Sequence, residues 1–320
     1  MRIMLLTGAS GFVGRAVLDR VVQDRRFEPV IAVRKALSDL PGTTRMVKIN
    51  AIDAACDWSE AVTDCAVVVH CAARVHVMSD ASADPLAEFR KVNVDGTLQL
   101  ARQAAQAGAK RFIFVSSIKV NGEGTRRGAP YTADAEPAPV DPYGISKMEA
   151  EQALRLLAAQ TGMEVVIIRS TLVYGPGVKA NFLNMMRWLS KGVPLPFGAI
   201  HNQRSLVALD NLVDLILTCA EHPLAANETF LVSDGEDLST TQLLRRMAAA
   251  LGTPARLLPV PAWILECGAS LLGRKALSQR LCGSLQVDIG KTQKLLGWVA
   301  PVSVDQALLK AAQHFLHVKK

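Results

Sequence analysis

The sequence predicts an α/β protein, a doubly wound parallel sheet followed by a smaller, mixed cap. Short β-branched apolar runs at 3–7, 29–33, 67–70, 112–116 and 165–171 alternate with stretches of helical spacing, the pattern of successive βαβ units. A glycine triplet, Gly8, Gly11 and Gly14, follows the first run directly and opens the first helical stretch. Beyond residue 175 the alternation ends, and proline and glycine clusters at 175–177 and 194–198 separate helical segments.

The run at 3–7 meets a glycine turn instead of a long apolar region with a cleavage site, so it reads as the first strand and not as a secretion signal. Over 11–24, Val13, Ala16, Val17 and Val21 recur at helical spacing. Leu98, Ala101 and Ala105 do the same over 94–107, so both helices are expected to cover sheet faces. The run at 229–233 is a strand able to return to the main sheet. The expected division is 1–175 for the sheet domain together with that strand, and 176–320 for most of an interleaved cap. The apolar stretch 263–272 is broken by Glu266, Gly268 and Ser270 and falls short of the roughly 20 residues of a membrane span, so it reads as a buried or interfacial helix.

Half of the 320 residues are hydrophobic and no repeat or low-complexity tract interrupts them, so the whole chain is expected to fold. The six cysteines, at 56, 65, 71, 219, 267 and 282, form no C-x-x-C pair, which predicts a reducing, cytoplasmic setting and no metal. The formal charge of +7 is dispersed and only three tyrosines are present. These features favour an anionic metabolite over nucleic acid.

In the segment Thr7 to Gly14, the first glycine permits a tight turn, the second lets backbone approach a pyrophosphate, and the helix N-terminus offers unpaired N–H groups. Ser10, Phe12 and Val13 fall within the same loop. This Rossmann-type signature predicts a dinucleotide. An NAD site expects an acid roughly 20 residues after the motif. Arg34 and Lys35 stand there instead, cations suited to a 2′-phosphate, so NADP(H) is expected to be preferred and NAD(H) possible.

Asp141 and Pro142 read as an N-cap and a first helical position, which starts a helix that carries Tyr143 and Lys147 on one face. A phenol beside an ammonium can exchange a proton with a sugar hydroxyl. Ser117 ends the strand at 111–117, at the sheet edge where such folds bind ligands, and can orient the reacting oxygen.

Taken in order, Thr7-Gly-x-x-Gly-x-x-Gly14, His70-Cys-Ala-Ala73, Asn93, Ser116-Ser117, Tyr143-x-x-x-Lys147 and Arg169-x-x-x-x-Tyr174-Gly-Pro176 resemble the extended short-chain dehydrogenase/reductase family over nearly the whole chain. The resemblance is to its UDP-sugar 4-epimerase and 4-reductase branch. It implies that Tyr143 is the acid/base, that Lys147 holds the nicotinamide ribose and lowers the Tyr143 pKa, and that Ser117 bonds the sugar oxygen. Cys71, Ala72 and Ala73 then line the cofactor channel with Asn93 and Ser116, and Ser170 and Thr171 meet the carboxamide. Ile52 and Asp53 fall at the adenine, although Ala51 replaces the acid that many relatives carry nearby. A homodimer, paired through the helices at 94–107 and 146–160, is implied as well.

In the cap, Asn181, Pro196, Phe197, Arg204, Val207 and Arg280 are similar to the segments with which this branch grips a nucleoside diphosphate. Phe197 suits stacking on a base, and the two arginines suit diphosphate oxygens. The stretch 116–125 resembles bacterial polysaccharide (O-antigen) enzymes that reduce or epimerise C4 of UDP-N-acetylhexosamines, among them reductases forming UDP-N-acetylquinovosamine. Lys119 stands there in place of the small or hydroxyl residue of galactose epimerases and is expected in the substrate pocket. The leading expectation is therefore C4 reduction of a UDP-4-keto-6-deoxy-N-acetylhexosamine, with UDP-hexose 4-epimerisation as the alternative and a catalytically silent nucleotide sensor as a third.

Overall fold

The computed structural model of the protein describes residues 1–40, 42, 44–75, 84–271, 273 and 275–318. The chain opens with β1 (Arg2–Thr7), α1 (Phe12–Asp24), β2 (Phe27–Val33), β3 (Arg45–Lys48), the single turn α2 (Ser59–Val62) and β4 (Cys65–His70). Next come α3 (Pro85–Arg90) and α4 (Thr97–Gln106), joined by a π-helical stretch at Lys91–Gly96. The helix expected at 94–107 is thus the end of a longer helical run. The wider π winding turns Asn93 inward, and Gly96 lets Ile52 approach to where a Cβ would lie 2.7 Å from Ile52 Cγ2.

β5 (Arg111–Ser117), α5 (Pro142–Thr161), β6 (Glu164–Ser170) and β7 (Leu172–Tyr174) follow. α5 begins as its sequence dictates, with Pro142 in the first turn and the Asp141 carboxylate accepting from the Gly144 amide at 2.7 Å. The chain continues with α6 (Ala180–Ser190), β8 (Arg204–Ala208), α7 (Leu209–Glu221), β9 (Thr229–Val232), β10 (Asp237–Leu238) and α8 (Thr240–Ala250). It ends with α9 (Ala262–Leu271), α10 (Lys275–Cys282), α11 (Gly290–Leu296) and α12 (Val304–Val318). Leu272, the last residue of the apolar stretch, lies outside the described residues.

The main sheet has seven parallel strands in the order β3-β2-β1-β4-β5-β6-β9, with β9 hydrogen-bonded beside β6. Strand direction of winding reverses between β1 and β4, the crevice where doubly wound sheets bind ligands. Because both faces are covered, the central stretches of the inner strands are apolar on both sides. Alternate side chains such as Met4 and Leu6 pack with α1 and α7 on one face, while Leu5, Phe112 and Phe114 pack with α4 and α5 on the other. A third core, built on Phe182, Met186, Leu244, Met247 and Leu308, holds the cap around the small sheet β10-β8-β7. Among the described residues no helix is long and apolar enough to cross a membrane.

Candidate active site

The glycine loop is built for close approach. Gly8 has φ +75°, and a Cβ there would sit 2.8 Å from the Ala72 amide nitrogen. A Cβ on Gly14 would fall 2.2 Å from the Gly8 carbonyl oxygen, so the first turn of α1 presses directly on the loop. Gly11 caps α1 without any side-chain hydrogen bond, which leaves the first-turn N–H groups facing outward for an anion. These features fit a dinucleotide pyrophosphate. Ser10 is exposed, and Phe12 and Val13 are half-buried against the first core.

Beneath this loop, Thr7 Oγ1 lies 2.7 Å from His70 Nδ1, and His70 Nε2 lies 3.0 Å from Thr97 Oγ1. The chain ties β1, β4 and α4 together at the crevice. Burial, with Lys147 adding repulsion, pushes His70 down to about 3, so the ring is neutral. Thr7 Oγ1 also accepts from the Ala72 amide at 3.3 Å, which fixes the strand end carrying Cys71, Ala72 and Ala73. Arg34 and Lys35 are exposed just after β2, while Ile52 and Asp53 are half-buried, with Asp53 accepting from the Ala55 amide at 3.0 Å.

The Asn93 carboxamide accepts from the Arg74 amide at 2.8 Å and donates to the Arg74 carbonyl and to Ser146 Oγ, both at 3.0 Å. With 1% of its surface exposed it pins the 71–74 loop to α5, a positioning role in the geometry seen here. The Ser116 side chain is likewise turned away, donating to Glu151 at 2.6 Å. Ser170 lies at the rim with Oγ 3.4 Å from the Ser116 carbonyl, and Thr171 Oγ1 donates to the Val232 carbonyl at 3.1 Å.

Tyr143 and Ser117 meet from two elements, α5 and the end of β5, and their hydroxyls share a hydrogen bond. The edge of Phe89 closes over the phenol, with ring centroids 6.1 Å apart. Burial drives Tyr143 up to about 12, against a smaller lowering by Ser117. Burial is therefore the dominant influence on the phenol. The Lys147 ammonium donates to the Val115 carbonyl at 2.8 Å and sits 3.7 Å from the Phe114 ring centroid. Burial pulls it down to about 7, and the Glu151 charge holds it up.

Sequence reasoning missed the support behind this pair. Glu151 stands one further helical turn along the face of Tyr143 and Lys147, and its spacing was the available signal. It is 1% exposed and accepts from Arg169 at 2.7 Å, while Arg169 also donates to Asn121 at 3.1 Å. Lys119, expected in the substrate pocket, pairs with Glu123 at 2.9 Å and with Asp141. It ties the turn after Ser117 to the cap of α5.

In the cap, Arg204 donates to the Gly283 carbonyl at 3.1 Å, and its pKa is lowered by burial and by the neighbouring Arg280 charge. Two neighbouring positive charges suit an anionic group. Asn181 is exposed at the start of α6, and Pro196 and Phe197 are half-buried, with the Phe197 carbonyl accepting from Thr241 at 2.6 Å. Val207 is a correction: it has no exposed surface, because β8 is buried on both faces. A cavity of about 270 Å³ beside this segment is lined by Gly198, Gln203, Thr241, Arg127 and Arg245. A larger one of about 630 Å³, between Cys56 and Gln103, lies on the far side of α4 from the chemistry.

Fold and site together define a dinucleotide-dependent enzyme of the extended short-chain dehydrogenase/reductase type that acts on nucleotide sugars. The chain belongs to the NAD dependent epimerase/dehydratase family, whose profile matches residues 4–233. It is 50% identical over 314 residues to a UDP-glucose 4-epimerase of Vibrio cholerae, covering 98% of this chain and 95% of that one. It is 28% identical over 335 residues to an N-acetyl-α-D-glucosaminyl-diphospho-ditrans,octacis-undecaprenol 4-epimerase of Escherichia coli O157:H7, covering 99% and 96%. The same fold is seen in the crystal structure of Thermotoga maritima UDP-glucose 4-epimerase with UDP-glucose, at 22% identity and a TM-score of 0.78 over 100% of both chains.

Proposed function

We propose that this protein interconverts the C4 epimers of a UDP-linked hexose or N-acetylhexosamine and keeps its dinucleotide through the cycle. The full-length 50% identity to the Vibrio cholerae epimerase carries this reading. It displaces C4 reduction as the leading function. Part of the sequence support for reduction was Lys119, whose ammonium is occupied by Glu123 and Asp141 and so gives the pocket no distinctive cation.

The roles follow from the geometry. Gly8, Gly11, Gly14 and the uncapped turn of α1 bind the pyrophosphate within the 1–175 lobe. When bound, the nicotinamide supplies a reversible hydride acceptor at the sugar carbon. Tyr143 Oη takes the proton of the C4 hydroxyl and returns it, and Ser117 Oγ orients the same oxygen. Lys147 supplies the positive charge that tyrosinate needs, and Glu151 maintains that charge. Arg204 and Arg280 clamp the diphosphate, and Phe197 and Asn181 flank the nucleoside in the cap, most of 176–320. The exposed Arg34 and Lys35 accept a dinucleotide with or without a 2′-phosphate, and NAD is the resident form expected of the family.

The test supplies UDP-glucose and UDP-N-acetylglucosamine without added cofactor. Formation of the galacto epimers, with dinucleotide released only on denaturation, is the expected result. No interconversion, together with NADPH consumption on a UDP-4-keto-6-deoxy-N-acetylhexosamine, restores the reductase reading.

A further inference from the structure

Helix α9 carries its apolar stripe outward. Trp263, Ile264, Cys267 and Leu271 fall within about 100° of one another on the helical wheel. All four are exposed, Trp263 at 64% and Leu271 at 88%, while no residue of α9 is buried. Helices of folded domains ordinarily turn this stripe inward.

The surroundings continue the surface. The 255–261 segment, bridged from Leu257 to Leu195 and from Pro261 to Ala199, leads directly into α9; it carries exposed Leu258 and sets Arg256 against Gly192. Trp188 and Val193, linked by a hydrogen bond of 3.1 Å from the Val193 amide to the Trp188 carbonyl, are 43% and 40% exposed on the same cap segment. Across 187–193 and 254–282, exposed Arg187, Lys191, Arg256 and Arg280 outnumber exposed Glu266 among the described side chains.

We propose that this face of the cap docks on an anionic lipid bilayer, with α9 lying in the interfacial plane. Exposed tryptophan, an outward apolar stripe and flanking cations are the composition of an interfacial helix. The ten-residue helix, about 15 Å long, is too short to span a bilayer and is of a length to lie along its surface. The cationic surplus selects acidic headgroups. α9 packs on α10, which carries Arg280, so the docked helix is continuous with the arginine pair of the cap. The inference rests on this surface and is independent of the epimerase reading.

The full chain is mixed with phosphatidylcholine vesicles with and without about 30% phosphatidylglycerol and floated on a density gradient. Tryptophan emission is read in parallel. Trp58 and Trp298 are 0% and 4% exposed, so a blue shift reports Trp188 and Trp263. The protein is expected to float with the anionic vesicles only and to be released by salt. The double variant Trp263→Ser/Leu271→Ser and the charge variant Lys191→Gln/Arg256→Gln should each weaken binding at least about tenfold, with circular dichroism unchanged. Absence of flotation, or flotation of the apolar variant at full strength, overturns the proposal. So does a lipid-free assembly that the apolar variant dissolves, which would make a second copy the occupant.

Discussion

Replacing Glu151 by Gln tests whether the buried carboxylate serves the lysine or only the fold. Glu151 receives Arg169 through three contacts of 2.7 to 3.1 Å and Ser116 at 2.6 Å, with both charged side chains at most 2% exposed. Removing one partner leaves a buried guanidinium uncompensated, at a cost of about 3–5 kcal/mol, or a Tm lowered by on the order of 10 °C. The double variant Glu151→Leu/Arg169→Leu removes both charges and should recover most of that loss. The pH dependence should not recover. Lys147 is already pulled down to about 7 by burial, and Glu151 is the first cause acting against that pull. Without it the ammonium gives up its proton at lower pH, so the alkaline limb of kcat/KM moves acidward in both variants. Denaturant titration and pH–rate profiles measure the two effects separately. A double variant that is stable and keeps the wild-type profile would refute the electrostatic role.

Tyr143→Phe should retain the fold and lose about two to four orders of magnitude in turnover, and near-normal turnover would remove the acid/base assignment. His70 should make the protein acid-labile: its folded pKa near 3 lies below the ordinary 6.5, so the unfolded chain binds the extra proton and stability falls as pH drops from about 6.5 towards 3. At pH 5 the loss is about 2 kcal/mol, and denaturation of His70→Gln should lack that slope. Arg34→Ala should weaken NADP(H) binding more than NAD(H) binding in isothermal titrations, and equal losses would show that the cation does not meet the ribose. Sedimentation at micromolar concentration should give a dimer through the outer faces of α4 and α5, where Leu156 is 66% exposed; a monomer mass contradicts this.

The parallel sheet and its glycine loop were legible because their causes are local: apolar runs bounded by turns, and glycines where a Cβ would strike Ala72 or Gly8. The Asp141 cap and the Tyr143–Lys147 spacing were legible for the same reason. What failed depends on partners distant in sequence. Asn93 meets Arg74 and Ser146, 19 and 53 positions away, and nothing near Asn93 indicates that its carboxamide is fully occupied. Val207 reads like a pocket residue until the small sheet is seen to be covered on both faces. Lys119 reads as a pocket residue in the sequence, since only the fold brings Asp141, 22 positions on, against it.

The Lys119 contact also separates what the catalytic residues determine from what the cap determines. Ser117, Tyr143 and Lys147 can take a proton from a C4 hydroxyl or give one back, so the same triad serves a reductase and an epimerase. Lys119 binds the two segments that carry Ser117 and Tyr143, through Glu123 and Asp141, and so fixes their distance regardless of the sugar. On the proposed function, discrimination resides in the cap, where Arg204 and Arg280 would hold the diphosphate end and leave the ring free to turn. An epimerase needs that freedom, because the ketosugar must present its opposite face before the proton and hydride return. Substitutions in the half-buried Pro196–Phe197 segment should then change kcat/KM for UDP-glucose relative to UDP-N-acetylglucosamine, whereas Lys119→Met should lower kcat/KM for both sugars by the same factor by loosening Tyr143 from Ser117.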